Sequence, residues 1–186
     1  MNRTDEILRR ALDPVPEIWT PKPGFRQAAV LVPIQRRDAA DTILLIRRTD
    51  SMPSHAGQIA FPGGSREGDE SPLECALRES HEELGLDPAD VVVLGGLPSR
   101  VSNAGFHVHV IVGRIGTDFV PIPDTREVAS IAHPEIEHLA DRARWDWRDV
   151  PRVSRPMPHY ELETGTLWGL TARFVFDLLE RTHWSE

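Results

Sequence analysis

Glu79, Glu82 and Glu83 are the residues whose type and spacing speak first of chemistry. On a helix turning about 100° per residue, their three carboxylates share one arc of about 100°. Leu73, Ala76, Leu77, Ser80 and Leu84 fill the flank beside that arc. One side of such a helix would pack while the next presents three like charges, an unfavourable arrangement unless a cation sits among them. Hard oxygen donors of this kind suit Mg2+ or Mn2+, which retain waters and take the phosphate oxygens of a substrate at the same time. Arg78 borders the arc and can hold one carboxylate while leaving oxygens elsewhere free for metal. A solvated acidic helix face would use the same residues, so spacing alone leaves both readings open.

The segment carrying these residues has its own start and stop signals. Ser71 can cap the amino end, Pro72 suits the first helical position, and Glu74 completes a Ser-x-x-Glu capping box. Gly85 can close the other end in the left-handed conformation, which predicts a helix over 72–84. Residues 64–86 hold seven acids and two arginines, a net charge of −5 within a chain whose total is −8. Charge is thus concentrated where the candidate ligands lie, and the acidic balance disfavours nucleic acid and anionic membrane surfaces as partners.

The 186 residues suit a single core, and 40% hydrophobic with 27% charged residues excludes a disordered or fibrous chain. The longest uncharged apolar run, 28–34, is far short of the roughly 20 residues needed to cross a bilayer. Residues 1–10 interleave charges with apolar positions, unlike a secretory signal. Cys75 stands alone and cannot form an internal disulfide, so the expected compartment is the cytoplasm. Strand-forming runs lie at 27–34, 42–48, 91–97 and 106–114, with a weaker one at 143–148. Leu167, Leu170, Thr171, Phe174, Val175, Leu178 and Leu179 repeat with helical period and predict a packing helix. Pro14, Pro16, Pro21 and Pro23 follow a charged amphipathic segment at 5–12, so residues 1–24 read as an arm leading into a domain over 25–186. The sequence also admits a homodimer in which that arm pairs with a neighbouring subunit.

Residue order decides between the two readings of the acidic helix. From Gly64 the chain runs through five residues to Glu70, seven more to Arg78-Glu79, then Ser80-His81-Glu82-Glu83-Leu84-Gly85-Leu86. This resembles the signature of the Nudix hydrolases, Gly-x5-Glu-x7-Arg-Glu-U-x-Glu-Glu-x-Gly-U with U a bulky apolar residue. Only Ser80 departs; it lies in the middle of the packed flank, where a small residue implies close approach of a sheet. The resemblance implies an α/β fold, an α/β/α sandwich with a mixed central sheet, and metal-dependent hydrolysis of a diphosphate linked to another group. It implies that Glu79 and Glu83, with Glu82, bind Mg2+ or Mn2+, and that Gly64, Glu70 and Arg78 support the loop and helix. In such a reaction the cations neutralise charge on the diphosphate, water attacks phosphorus in line, and a carboxylate takes the proton. The base is a glutamate of the signature, Glu79 or Glu82, or one from a later loop, for which Glu127 is the candidate.

Upstream, Leu44-Leu45-Ile46-Arg47-Arg48-Thr49 leads to Gly57 and Phe61-Pro62-Gly63-Gly64. This is similar to the motif of the coenzyme A diphosphatase branch, Leu-Leu-Thr-x-Arg-(Ser/Ala)-x3-Arg-x3-Gly-x3-Phe-Pro-Gly-Gly. The His55-x-Gly57-Gln58 stretch and Trp168-Gly169-Leu170-Thr171-Ala172-Arg173 are also similar to that branch. The resemblance implies substrate contacts from Arg48, Arg47 and Gln58, and cleavage of coenzyme A or its derivatives into 3′,5′-ADP and a phosphopantetheine. Ile46, Thr49 and Pro53 depart, and Pro53 removes a guanidinium that could hold the 3′-phosphate. That change favours a rival substrate class of ADP-ribose, nucleotide sugars and other nucleoside diphosphate derivatives. A nucleotide-binding sensor is the non-catalytic rival, against which the persistence of Glu79, Glu82 and Glu83 speaks.

Three further features invite chemistry. His107 and His109 alternate on one strand and face the same way, as ligand or metal contacts or as ordinary sheet histidines. Cys75 is expected to fill space, since attack by water leaves a thiol no necessary role. Trp168 and Phe174 are expected in the core.

Overall fold

The computed structural model describes residues 3–51, 55–150 and 156–184. Along the chain run α1 (Arg3–Ala11), β1 (Arg26–Arg37), β2 (Ala40–Ile43), β3 (Leu45–Arg48), β4 (Ile59–Ala60), β5 (Gly63–Ser65) and α2 (Pro72–Leu84). There follow β6 (Val92–Val101), β7 (Phe106–Arg114), β8 (Val128–Ala132), α3 (Ile136–Ala140), β9 (Asp146–Arg148), β10 (Met157–Leu162), β11 (Gly165–Leu167) and α4 (Gly169–Thr182). Pro53 and Pro151 lie outside the described residues.

Strand β1 organises the molecule. It pairs in parallel with β7 and antiparallel with β2 and β5, while β6 continues beyond β7, giving a mixed five-stranded sheet. Alternate residues of β1 leave by opposite faces. Ala29 and Leu31 join Ile111, Cys75, Ala76 and Leu84 under α2. Val32 and Ile34 join Val110, Val112 and the Phe174, Val175 and Leu178 stripe of α4. These two cores, one on each face, make the α/β/α sandwich.

The run at 42–48 is two strands, not one. Ile43 on β2 pairs with Ile34, and the next opposing residue on β1 is Pro33, whose ring leaves no N–H to donate. Leu44 N–H still reaches Pro33 O at 2.9 Å. With the reciprocal bond missing, the chain leaves the large sheet there, and β3 enters a second sheet between β4 and β8. The strand predicted at 143–148 is likewise shorter. Asp141 accepts from Ala143 N–H and tightens residues 142–144 into a 3-10 turn, leaving Asp146–Arg148 extended. Trp168 is not a core residue: it caps α4, is 38% exposed and stacks on His159 with ring centroids 5.8 Å apart. Phe174 is buried, as expected.

Residues 3–24 cross the sheet edge. Leu8 of α1 is fully buried in the core on the α4 face. Asp13 then exchanges backbone hydrogen bonds with Gly96 of β6, N–H to O at 3.0 and 2.8 Å. The chain approaches so closely that a Cβ at Gly95 would lie 2.6 Å from Leu12 Cβ. Trp19 finally packs into the opposite core, on the α2 face. No described helix is long and apolar enough to cross a membrane.

Candidate active site

Helix α2 is held at both ends by local chemistry. Glu74 N–H donates to Ser71 Oγ at 3.2 Å, Ser71 N–H donates to a Glu74 carboxylate oxygen at 2.7 Å, and Gly85 closes the helix with φ 68° and ψ 21°. Such a cap is typically worth about 1 kcal/mol. Ser80, the departure from the signature, is fully buried and donates its hydroxyl to Ala76 O at 2.7 Å. Its missing bulk is therefore accompanied by no unpaired polar group.

The carboxylates occupy three different environments. Glu83 is the most enclosed, 2% exposed, yet neither oxygen is exhausted. One accepts from Arg48 Nη1 at 3.3 Å and the other from Gly63 N–H at 3.0 Å. Burial pushes its carboxyl up to about 8 against the opposing pull of these two donors, with Glu79 and Glu127 adding repulsion. Glu79 lies against Gly64 and accepts from Arg78 Nη1 at 3.0 Å. Burial also raises its carboxyl, and Glu82 and Glu127 push the same way. Glu82 is mostly exposed, with Arg78 Nη1 at 3.2 Å.

Arg78 is the brace of this arrangement. Its bidentate partner is Glu70, through Nε at 3.0 Å and Nη2 at 2.9 Å, while single contacts reach Glu79, Glu82 and Ser65 O. The guanidinium holds the Glu70 carboxyl below the usual range. Glu70 in turn accepts from Glu67 N–H at 2.7 Å, and its carbonyl takes the Trp19 indole N–H at 2.6 Å. Loop, helix and arm are thereby tied together.

Glu127 arrives from a distant part of the chain. Asp124 N–H donates to Glu83 O at 3.0 Å and Ile122 N–H to Leu84 O at 2.8 Å, docking the loop on the end of α2. Thr49 N–H donates to Glu127 O at 2.9 Å from the end of β3. Glu127 stands close enough to Glu79 and Glu83 for its charge to raise both carboxyls.

Arg47 is not brought to this cluster, whereas the backbone of Gln58 lies beside Arg48, whose N–H donates to Gln58 O at 3.0 Å. Successive residues of β3 face opposite ways, so Arg48 shares the α2 face with Glu83 while Arg47 leaves by the other. There Arg47 pairs with Asp50 at 2.9 Å beside the β10 to β11 hairpin. The Gln58 side chain is taken up locally, its Oε1 meeting His55 Nδ1 at 2.8 Å. His107 and His109 are buried under the arm: His107 bonds Thr20 O at 3.0 Å and Ser99 Oγ at 2.8 Å, and His109 meets the edge of Trp19. Burial pushes the Cys75 thiol up to about 12, so it stays protonated and inert.

The ion pair between Arg48 and Glu83 has no signal in local sequence, because 35 residues separate the partners. Among the described residues, no three His, Cys, Asp or Glu side chains converge into a closed metal cage. An ion that keeps waters and takes substrate oxygens needs only one or two carboxylates. Glu79, half-buried, and Glu83, buried, both carry repulsion from neighbouring negative charge and fit that demand.

The NUDIX domain model matches residues 25–153, and the chain belongs to that family. It is a Nudix hydrolase, of the class that acts on diphosphate-containing substrates and generally uses divalent metal ions. An uncharacterized Nudix hydrolase NudL of Pectobacterium atrosepticum is 38% identical over 177 residues, 94% of this chain and 91% of its own. The protein of the same description from Yersinia enterocolitica is 35% identical over 175 residues, 90% and 89% of the two chains. Among solved structures, a MutT/nudix family protein from Enterococcus faecalis matches with TM-score 0.58 at 17% identity, covering 89% of this chain and 64% of that one. The Nudix hydrolase RenU of M. smegmatis matches with TM-score 0.53 at 23% identity, covering 68% and 81%. These likenesses show the fold.

Proposed function

We propose that the chain hydrolyses the diphosphate of coenzyme A or its derivatives, releasing 3′,5′-ADP and a phosphopantetheine, with Mg2+ or Mn2+. The observation that carries the reading is the way the upstream segment feeds the carboxylates. Arg48 and Gly63 both donate to Glu83, and Gly64 lies against Glu79. Contacts of Arg48, Gly63 and Gly64, three residues of the stretch similar to the coenzyme A diphosphatase motif, with the candidate carboxylates support this reading.

Glu79 and Glu83 would hold the divalent cation, with Glu82 as the exposed third carboxylate. When bound, that ion neutralises charge on the diphosphate and lowers the pKa of a coordinated water. Arg78 keeps Glu79 and Glu82 oriented, and Arg48 holds Glu83 in its rotamer. Glu127, on the loop docked against α2, would take the proton of the attacking water, a role for which Glu82 and Glu79 are the other candidates; its nearness to Glu79 and Glu83 supports this. A second reading, hydrolysis of ADP-ribose, nucleotide sugars or related diphosphates, is favoured by Pro53 at the place of the motif's arginine.

Chromatographic product analysis with Mg2+ or Mn2+ tests the choice, using coenzyme A, ADP-ribose, NADH and a nucleotide sugar. The expected product is 3′,5′-ADP from coenzyme A, ahead of any product from the others. AMP or another nucleotide from a different donor as the dominant product, with coenzyme A intact, would overturn the substrate assignment in favour of the second reading.

A further inference from the structure

The candidate site holds more negative charge than its arginines can offer to an incoming anion. Arg48 ends on Glu83, Arg78 is shared among Glu70, Glu79, Glu82 and Ser65 O, and Arg47 pairs with Asp50 on the far face. Their side chains are 16%, 24% and 28% exposed. Arg126, one residue before Glu127, is of another kind, with its side chain 86% exposed.

Its backbone is nonetheless fixed at the rim of the site from two sides. Thr49 Oγ1 donates to Arg126 O at 3.0 Å, and Asp124 N–H donates to Glu83 O at 3.0 Å. Asp124 is also the resting partner of the guanidinium, with Arg126 Nε at 3.0 and 3.1 Å from its two oxygens and Nη2 at 2.5 Å from one. Arg126 N–H donates to Asp124 Oδ1 at 2.9 Å, which closes the turn independently of the ion pair. An ion pair open to water contributes little, because water competes for both partners. A phosphate offers more charge than a carboxylate and the same bidentate geometry to a guanidinium. The fixed backbone and solvent-exposed head group, already presenting its fork to a carboxylate, therefore suit an exchange of partners.

We propose that Arg126 is the substrate-binding arginine of this site, trading Asp124 for a phosphate oxygen of the incoming nucleoside diphosphate group. The assignment rests on the diphosphate-hydrolysis reading of the neighbouring carboxylates. It makes Asp124 a competitor of the substrate, and it places Arg126 in capture of the anion more than in the chemical step.

The test is calorimetric titration of ADP with Mg2+ into the full chain, beside steady-state kinetics on the best diphosphate substrate, for the natural protein, R126Q, R126K and D124N. R126Q is expected to weaken ADP binding and raise KM by roughly tenfold, with kcat moving far less than KM. R126K should fall between, since it keeps charge and loses the bidentate fork. D124N preserves an oxygen acceptor for the turn and drops the competing charge, so it should tighten ADP binding by about two- to fivefold. ADP binding unchanged in R126Q would overturn the assignment, as would a fall in kcat without a rise in KM. Arg126-dependent ADP binding without turnover of any diphosphate would sink the hydrolysis reading and keep the assignment. Turnover with a KM indifferent to R126Q would do the reverse, and neither binding nor turnover would sink both.

Discussion

Gly64 lies directly against the carboxylate of Glu79: a Cβ at position 64 would stand 2.4 Å from Oε1 and 2.7 Å from Oε2. The glycine is needed for space, not for an unusual backbone angle. Glu79 is the far end of a flexible side chain, so a methyl group there would displace the carboxylate and spare the fold. G64A should therefore leave the melting temperature within a few degrees of the natural protein. Its turnover should fall by about a hundredfold, the order expected when a catalytic group moves by about an ångström. Thermal unfolding and diphosphatase assay on the same preparation check both halves; a large drop in melting temperature would assign Gly64 to folding instead.

Removing the metal should separate the glutamates by role. Chelation with EDTA is expected to abolish turnover, and added Mg2+ should restore it. A ligand that binds only the folded state raises its stability, so Mg2+ should also raise the melting temperature. E83Q keeps the shape of the side chain and removes its charge, so both the rise and the turnover should be lost, the latter by several orders of magnitude. E127Q should lower kcat by about 10²- to 10⁴-fold, the usual contribution of a general base, and keep the stabilisation by Mg2+. Loss of that stabilisation in E127Q would make Glu127 a metal ligand.

These contrasts follow how far each residue could be read from sequence. Helix α2 was legible because its determinants, Ser71, Glu74 and Gly85, act within their own turns. The two-fold alternation of β7 gave the shared face of His107 and His109, but not what covers it, since Thr20 and Trp19 arrive from an arm nearly 90 residues away in sequence. Arg47 and Arg48 look equivalent side by side; strand geometry sends only Arg48 to Glu83. Strand β8 escaped notice because Val128–Ala132 is short and only partly buried, and its pairing with β3 spans some 80 residues. What depended on neighbours in sequence could be read, and what depended on neighbours in space could not.

The arm offers a test of how far the folded unit extends. Leu8 is fully buried in the α4-side core, and Asp5 on the same helix pairs with Arg114 of β7 at 2.6 Å. L8A should cost about 2–5 kcal/mol, the range for emptying a buried leucine site. Urea unfolding measures it. A loss below about 1 kcal/mol would show that α1 is a detachable appendage.

His109 predicts how the protein responds to acid. Burial, with repulsion from His107, lowers its imidazole to about 4, and its enclosed Nε2 has no hydrogen-bond partner among the described residues. An unfolded histidine titrates near 6.5, so between about pH 6.5 and 4 the unfolded state binds the extra proton. Stability must then fall as pH drops through that window and level off below it, by on the order of 1–3 kcal/mol from this residue. His133, also lowered to about 4 by burial and by Arg37, contributes in the same direction. H109F retains an aromatic ring against Trp19 and removes the titrating group, so it should flatten part of the slope. Urea midpoints at pH 7, 6 and 5 measure this; equal slopes in H109F and the natural protein would mean that His109 takes up its proton without unfolding.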